Sequence, residues 1–389
     1  MRSLRQRPSM WGNIKEWDAR ARTSSAPFRL MDGAWLVHDR EQIHDVLTHT
    51  ERYVEQSAFL RTQTLFPLPL DARKEILGFL VPRMAELDLS WDNVKSTTLP
   101  ARSGIRRSHR WGVRLIRDLS RPVLVDADYG TTYSLMNYYI ERKSIRDDNW
   151  GAYNRLDGAR RSELHQSLGK ALRVESRTRG SARNDLATFL GTQFSLDLPD
   201  GELGELFSKL TQSVVGFTGS LIEYATLLGS RNPDIAHRYA NGEGQNDVHE
   251  TLRLHPISWR LARVAAYEHV LGEVVIREGD SVVLSTATLH RSDRHWRNPL
   301  VYDPARWSED GSTRSGSYLP FGKGRGMCPG RSAALVTANY ALQQIFTRYD
   351  ARVWTGPLAR PYVRSLLTVP TSHFYFRPKS RVSMPLAKQ

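Results

Sequence analysis

Cys328 is the only cysteine in 389 residues, and it sits in the run PFGKGRGMCPGRSAALV with Gly322, Gly324, Gly326 and Gly330 around it and Gly316 just upstream. A lone thiol makes neither an intrachain disulfide nor a multi-cysteine metal site. Glycines let a backbone run close to a flat ligand and adopt positive φ. The following segment, RSAALVTANYALQQIF, has the apolar spacing and alanine content of a buried helix. Cys328 is therefore expected at a loop-to-helix junction, where the helix dipole and unpaired backbone N–H groups favour the thiolate, the form that ligates a metal. Pro329 has no N–H, which leaves Gly330 and Arg331 as donors to the sulfur. A small buried hydrophobe is the other reading these residues leave open.

A second charged constellation lies upstream. HETLRLHP places Glu250 and Arg253 three apart, on one helix face where an ion pair forms, and Pro256 ends that helix. By itself such a pair describes many solvated helices. It is followed by RLARVAAYEHVLGEVVIREGDSVVLSTATLHRSDRHW, in which EVVI and SVVL read as strands of one small sheet split by the turn REGD. VYDPARW then brings in Arg306.

FGKGRGMCPG resembles the haem-binding loop of the cytochrome P450 family, F-G-x-G-x-[RH]-x-C-x-G, at Phe321, Gly322, Gly324, Cys328 and Gly330. Ala334 falls where the family has an alanine against the porphyrin, and HETLRLHP and VYDPARW resemble the family's next two elements in the same chain order. The resemblance implies a mainly α fold with a minor β-sheet region, the cytochrome P450 fold, and haem b with Cys328 as the axial ligand of its iron. It further implies a Glu250, Arg253, Arg306 cluster that supports the Cys loop, and a haem propionate held by Arg263. Gly326 stands where the family has Arg or His, so Arg325 beside it, or other cations, must take over that charge. Arg73 and Lys74, at the start of the helix expected within FPLPLDARKEILGFLVPRMAEL, are further propionate candidates.

The long helix ELFSKLTQSVVGFTGSLIEYATLLGSRNP departs from the pattern. The family carries an acid followed by Thr there, which supply protons for O–O cleavage. Counting back from Asn232 and Pro233, these positions are Gly216 and Phe217; Thr218 substitutes only if the helix bulges, and the next carboxylate is Glu223. One reading keeps monooxygenation, with water or substrate as the proton path. Another is dioxygen-independent haem-thiolate chemistry: peroxide use, rearrangement or nitrene-type C–N bond formation. A third is a non-catalytic scaffold that binds a partner. Pocket candidates are Gly216 and Phe217, Ile257 and Trp259, and Leu367 and Thr368.

Around these motifs, SAPFRLMDGAWLVHDREQIHDVL reads as short strands and then a helix. Residues 120–198 are polar and fall where the family builds mobile helices over its substrate. Length and 40% hydrophobic content suit one large core, and 1–389 is expected to be a single haem-thiolate domain. No run approaches the roughly 20 apolar residues of a membrane span, and the basic MRSLRQRPSMW lacks a signal-peptide core, so a cytoplasmic protein is expected. The formal net charge of +14 includes Arg102, Arg106, Arg107, Arg110, Arg114 and Arg117, then Arg155, Arg160 and Arg161, expected along helices. They read as solvated faces or as a dock for an acidic ferredoxin or other redox partner; no stacking-aromatic pattern accompanies them, so nucleic acid is not expected. The expected substrate is a small organic molecule of natural-product biosynthesis.

Overall fold

A computed structural model describes residues 10–30, 33–55, 68–99, 102–107, 111–125, 130–146, 156–179, 184–308, 316–354, 362–363, 368–369 and 373–379. Helix α1 (Met10–Thr23) leads into β1 (Phe28–Arg29), β2 (Trp35–Val37), α2 (Arg40–Thr48) and β3 (Tyr53–Glu55). The Asp39 carboxylate caps α2 by accepting from the N–H groups of Glu41 and Gln42. Next come α3 (Leu70–Ala85), β4 (Gly104–Arg107), α4 (Trp111–Leu124), α5 (Gly130–Arg146), α6 (Leu156–Arg179) and the short α7 (Leu186–Thr188). The long α8 (Asp200–Arg231) is followed by α9 (Pro233–Ala240) and α10 (Gln245–Leu254).

The carboxyl-terminal part alternates strands and helices: β5 (Arg260–Ala265), β6 (His269–Leu271), β7 (Val274–Ile276), β8 (Ser281–Ser285), α11 (Thr286–Leu289) and α12 (Arg331–Arg348). It closes with β9 (Tyr349–Trp354), β10 (Tyr362–Val363), β11 (Thr368–Val369) and β12 (His373–Pro378). The mainly helical architecture with minor sheets is as expected.

The strands sort into sheets ordered β1-β2-β8-β5-β3, β4-β12-β9, β6-β7 and β10-β11. EVVI and SVVL do form strands, yet they do not share a sheet. β7 pairs with β6, while β8 lies between β2 and β5. The turn between them, with Gly279 at φ +79°, redirects the chain instead of folding a hairpin. The arginines near residue 105 are also placed differently from expectation: Arg106 and Arg107 belong to β4, paired with β12, whereas Arg114 and Arg117 do lie on a helix, α4.

The main core gathers α4, α8 and α12 with the inner face of β12. Trp111 at the start of α4 packs edge-on against Phe374 and Phe376, at 5.3 and 5.0 Å between ring centroids. α4 and α8 cross so closely that a Cβ on Gly112 would stand 2.4 Å from the Gly219 carbonyl, and one on Gly219 would stand 2.6 Å from the Val113 nitrogen. Only glycines permit that crossing. Glu223 seals it by accepting from the Gly112 N–H at 3.0 Å.

Candidate functional site

The loop before α12 is shaped by two left-handed glycines, Gly322 at φ +74° and Gly324 at φ +68°. A 3₁₀ turn over Gly324–Gly326 follows, and the Cys328 N–H then donates to the Phe321 carbonyl at 2.8 Å, closing the loop. Cys328 stands two residues ahead of the Gly330 cap of α12, at the expected loop-to-helix junction. Of the two expected donors only one reaches the sulfur. The Gly330 N–H does so, whereas the Arg331 N–H turns to the Cys328 carbonyl at 3.4 Å.

The thiol itself is not the ready thiolate that the helix dipole suggested. Burial pushes the Cys328 pKa up, and the Gly330 N–H only partly offsets this. Desolvation outweighs one N–H because the thiol is the uncharged form. A metal's own charge would be needed to hold the sulfur deprotonated. Gly326, Met327 and Cys328 remain exposed as residues.

The loop is anchored from three sides. From α2, His44 Nε2 meets the Gly316 carbonyl at 2.7 Å, and Lys323 Nζ lies 3.1 Å from His44 Nδ1. From β5, the Leu261 side chain lies against Gly322. The third anchor is the expected ion-pair cluster, which is fully formed. Arg253 donates from Nε to Glu250 Oε2 at 2.9 Å and from Nη2 to Oε1 at 2.8 Å. Arg306 Nε adds a bond to Glu250 Oε1 at 3.2 Å. Glu250 and Arg253 are fully buried and Arg306 nearly so.

Two members of this cluster carried no signal in sequence. Trp307 Nε1 donates to Glu250 Oε2 at 3.0 Å, and the Asp303 N–H donates to Oε1 at 2.9 Å. Arg253 spends its remaining donors on the carbonyls of His290, Pro299 and Val301, at 2.9, 2.6 and 3.1 Å. His290 passes the constraint on, since its Nε2 accepts the Leu319 N–H at 2.8 Å, two residues before Phe321. Thus the cluster is tied to the Cys loop by a buried, neutral imidazole. Burial first, and the Arg253 charge second, push the His290 pKa down to about 3.

On α8 the side chains divide by face. Leu210, Val214 and Phe217 are partly buried and Ser213 is exposed, a stripe at three- and four-residue spacing. Gly216 and Thr218 are buried, each about 100° round the helix from Phe217. α8 is continuous from Asp200 to Arg231, so no bulge brings Thr218 onto the stripe. A Cβ on Gly216 would stand 2.1 Å from Gln212 Nε2; an acid there would have to displace Gln212. Glu223 belongs to the joint with α4. The expected grouping of Gly216, Phe217 and Thr218 therefore reduces to Phe217. The stripe adds Ser213, one turn earlier, whose hydroxyl donates to the Lys209 carbonyl at 2.9 Å.

Residues 245–375, from α10 to past the Cys loop, match the family model of cytochrome P450. Cytochrome P450 3A11 of Mus musculus is 38% identical over 105 residues, 26% of this chain and 21% of that protein. The chloroplastic protein LUTEIN DEFICIENT 5 of Arabidopsis thaliana is 30% identical over 139 residues, 34% of this chain and 23% of that protein. The match thus spans about a fifth to a quarter of these relatives' length. Over the whole chain the likeness is one of fold. Cytochrome P450 CYP109Q5 from Chondromyces apiculatus superposes with a TM-score of 0.71 at 17% identity, covering 96% of this chain and 98% of that one. A mutant of P450 EryK in complex with erythromycin B gives 0.68 at 17%, covering 97% and 100%. Residues 245–375 thus resemble the cytochrome P450 family, and the chain as a whole has the cytochrome P450 fold.

Cytochrome P450s bind haem b, and the donor set of this chain fits that group. Among the described residues no cluster of three or more His, Cys, Asp or Glu side chains is placed to hold a bare metal ion. One cysteine sulfur with one N–H to it is a donor set that would hold a haem iron. Ala334 lies on the first turn of α12, its N–H bonded to the Gly330 carbonyl at 2.9 Å, and Phe321 precedes the left-handed Gly322.

The remaining expected positions separate. Arg263 is on β5, between β3 and β8, half-buried, with Nη1 on the Ala262 carbonyl at 3.0 Å. Arg73 lies in the first turn of α3 and donates from Nε to the Leu68 carbonyl at 3.1 Å; Lys74 pairs with Asp71 at 3.2 Å on the surface. The side chain of Arg325 and all of Leu367 lie outside the described residues, while Thr368 is in β11. Ile257 is buried in the main core. Trp259 is not a pocket residue: it stacks on Trp17 of α1 at 5.4 Å, in a small core with Ala34, Leu36, Val283 and Ala287.

Proposed function

We propose that residues 1–389 act as one haem-thiolate domain that oxidises a small organic molecule in natural-product biosynthesis. The desolvated Cys328 sulfur, with the Gly330 N–H as donor ahead of α12, is the observation that carries this reading. Bound haem would supply a redox-active iron. Cys328 Sγ would ligate the iron, and the Gly330 N–H would temper the sulfur's charge. Arg263, with Arg325 and Arg73, would take the propionates. The buried Glu250 cluster, through His290 and Leu319, would hold the loop in register. Phe217 would exclude water on the other side and press on the substrate. Among the described residues no helix is long and apolar enough to cross a membrane, which agrees with a cytoplasmic enzyme fed by an acidic ferredoxin or other redox partner.

The composition of the α8 stripe favours a variant of this reading. Leu210, Ser213, Val214 and Phe217 include no carboxylate, and the Ser213 hydroxyl proton is engaged by the Lys209 carbonyl. Proton delivery to dioxygen then depends on water or substrate. Peroxide use, rearrangement of an oxidised substrate, or nitrene-type C–N bond formation needs no such relay. Turnover of candidate substrates by the purified protein, with and without dioxygen and reductant, separates these readings. Product without dioxygen establishes the variant; tightly coupled, dioxygen-dependent turnover removes it. A purified protein that holds no haem points to a partner-binding scaffold instead.

A further inference from the structure

Tyr318 stands on the segment that enters the Cys loop, beside a proton acceptor. Its hydroxyl oxygen lies 3.0 Å from Nδ1 of His249, on α10. Phe321, three residues on, takes the Cys328 N–H on its carbonyl at 2.8 Å, and three residues of chain reach at most about 11 Å. The phenol and the sulfur that would ligate iron thus share one short stretch of loop. Stacked rings hold Tyr318 there. Its ring centroid lies 4.5 Å from that of Trp307, 5.5 Å from that of His290 and 5.8 Å from that of His249. The bond from the Leu319 N–H to His290 Nε2, at 2.8 Å, fixes the backbone of the next residue. Tyr318 and His249 are both half-buried, so the pair reaches the surface, while Trp307 behind it is buried.

Removing an electron from a phenol makes its O–H proton strongly acidic. The imidazole tautomer that carries its proton on Nε2 accepts that proton at Nδ1, and the tyrosine side chain is left without charge. An indole that keeps its proton becomes a cation instead, which a desolvated interior opposes. Trp296 meets that cost in full. It is buried, its Nε1 donates to the Leu289 carbonyl at 3.2 Å, and the guanidinium carbons of Arg253 and Arg306 lie 5.3 and 6.0 Å from its ring centroid. Trp307 commits its Nε1–H to Glu250, a carboxylate already paired with both guanidinium groups and so a poor place to send a proton. Of the three, Tyr318 is the ring that oxidises without leaving a charge on itself.

We infer that Tyr318, with His249 as its proton acceptor, is an electron relay between a haem at the Cys loop and small phenols at the surface, and gives the protein a peroxidase-type activity. Each turn moves one electron inward. The Tyr318 O–H bond breaks, its proton passes to His249 Nδ1, and the electron goes to the haem, oxidised beforehand by hydrogen peroxide. An external phenol returns the electron as its own proton leaves to solvent, and Tyr318 recovers its proton from His249. Over two turns the two electrons and two protons reduce one peroxide, so that one hydrogen peroxide and two phenols become two waters and two phenoxyl radicals. The relay rests on the reading of the Cys328 loop as a haem site.

The test is freeze-quench electron paramagnetic resonance of the haem-loaded protein mixed with hydrogen peroxide, beside stopped-flow oxidation of a methoxyphenol by the same samples. A tyrosyl signal is expected. Tyr318→Phe should lose it together with most of the phenol oxidation, and Trp296→Phe should retain both. His249→Phe keeps a ring against Trp307 but removes the acceptor, and should lose the signal as well. An unchanged melting temperature and an unchanged spectrum of the reduced, carbon monoxide-bound form confirm that each variant is folded. In a sample with the thiolate-type spectrum, the absence of a tyrosyl signal, or a signal and phenol oxidation unchanged in Tyr318→Phe, overturns the relay and leaves the haem-thiolate reading standing. Bound haem without that spectrum but with a Tyr318-dependent signal supports the relay and removes Cys328 as the ligand.

Discussion

The two sides of the candidate haem site are built on opposite principles. On the Cys328 side nearly every polar group is committed. Glu250 accepts from Arg253, Arg306, Trp307 and the Asp303 backbone, and Arg253 continues to three carbonyls. On the α8 side the stripe is largely apolar, with Phe217 where counting along the sequence puts the family's alcohol and Gly216 turned into the packing. A rigid, saturated support on one side can be shared by enzymes of many activities, since it only positions a ligand. The sparse face on the other side leaves reaction and substrate to be set by shape and by what the substrate brings.

The contrast is sharpest where one atom carries all of one side. Cys328→Ser is expected to abolish the thiolate-type spectrum of the reduced, carbon monoxide-bound protein; an unchanged spectrum removes Cys328 as the ligand. Next in size is the supporting cluster. Arg253→Ala takes the bidentate partner from the buried Glu250 carboxylate, leaving Arg306 as its one cation, and is expected to cost about 3–5 kcal/mol in denaturant unfolding. A loss below about 1 kcal/mol would mean that the cluster is not the support described.

Acid should attack the same side. His255 and His290 are both pushed down to about 3, by burial first and then by nearby guanidinium groups. Unfolding lets each take up a proton near 6.5, so the stability they contribute is complete above that pH and is lost as pH falls toward about 3. At about 1.4 kcal/mol per unit each, the combined slope approaches about 2.7 kcal/mol per pH unit. Urea midpoints measured between pH 6.5 and 4 check it, and His290→Gln should roughly halve the slope. A flat profile would show that these imidazoles are not held neutral.

The smallest effect is expected on the α8 side. Phe217→Thr should raise dioxygen-dependent turnover about tenfold, below the roughly 10²–10⁴ of a fully positioned proton donor, because no carboxylate accompanies it. Stopped-flow turnover against a peroxide-driven control reads this change. No gain would show that Phe217 acts only through shape.

Much of the Cys328 side was legible in the chain because its spacing is local. Glu250 and Arg253 share a helix turn, and Gly322 and Gly324 announce the left-handed backbone that the loop adopts. Trp307 and His290 were not legible. The Trp307 bond to Glu250 joins residues 57 apart, and the Leu319 bond to His290 joins residues 29 apart; nothing in their local pattern separates them from core aromatics and ordinary imidazoles. Trp259 misled for a related reason. Its nearness in sequence to the Glu250 helix says nothing about which side of β5 it takes, and packing against Trp17 decided that.

The sequence by itself determined the family resemblance, the cofactor it implies, Cys328 as the expected ligand and the departure from the family's acid and alcohol pattern, because each rests on residue identity at short, ordered spacing. Only the tertiary structure decided that the thiol is desolvated instead of primed, that Gly216 and Thr218 face away from Phe217, and that His290 links the ion-pair cluster to the Cys loop. Those outcomes depend on helix phase, burial and contacts between distant segments. A hydrogen bond or a desolvated charge is set by every neighbour around it, and those neighbours are assembled only when the chain is folded.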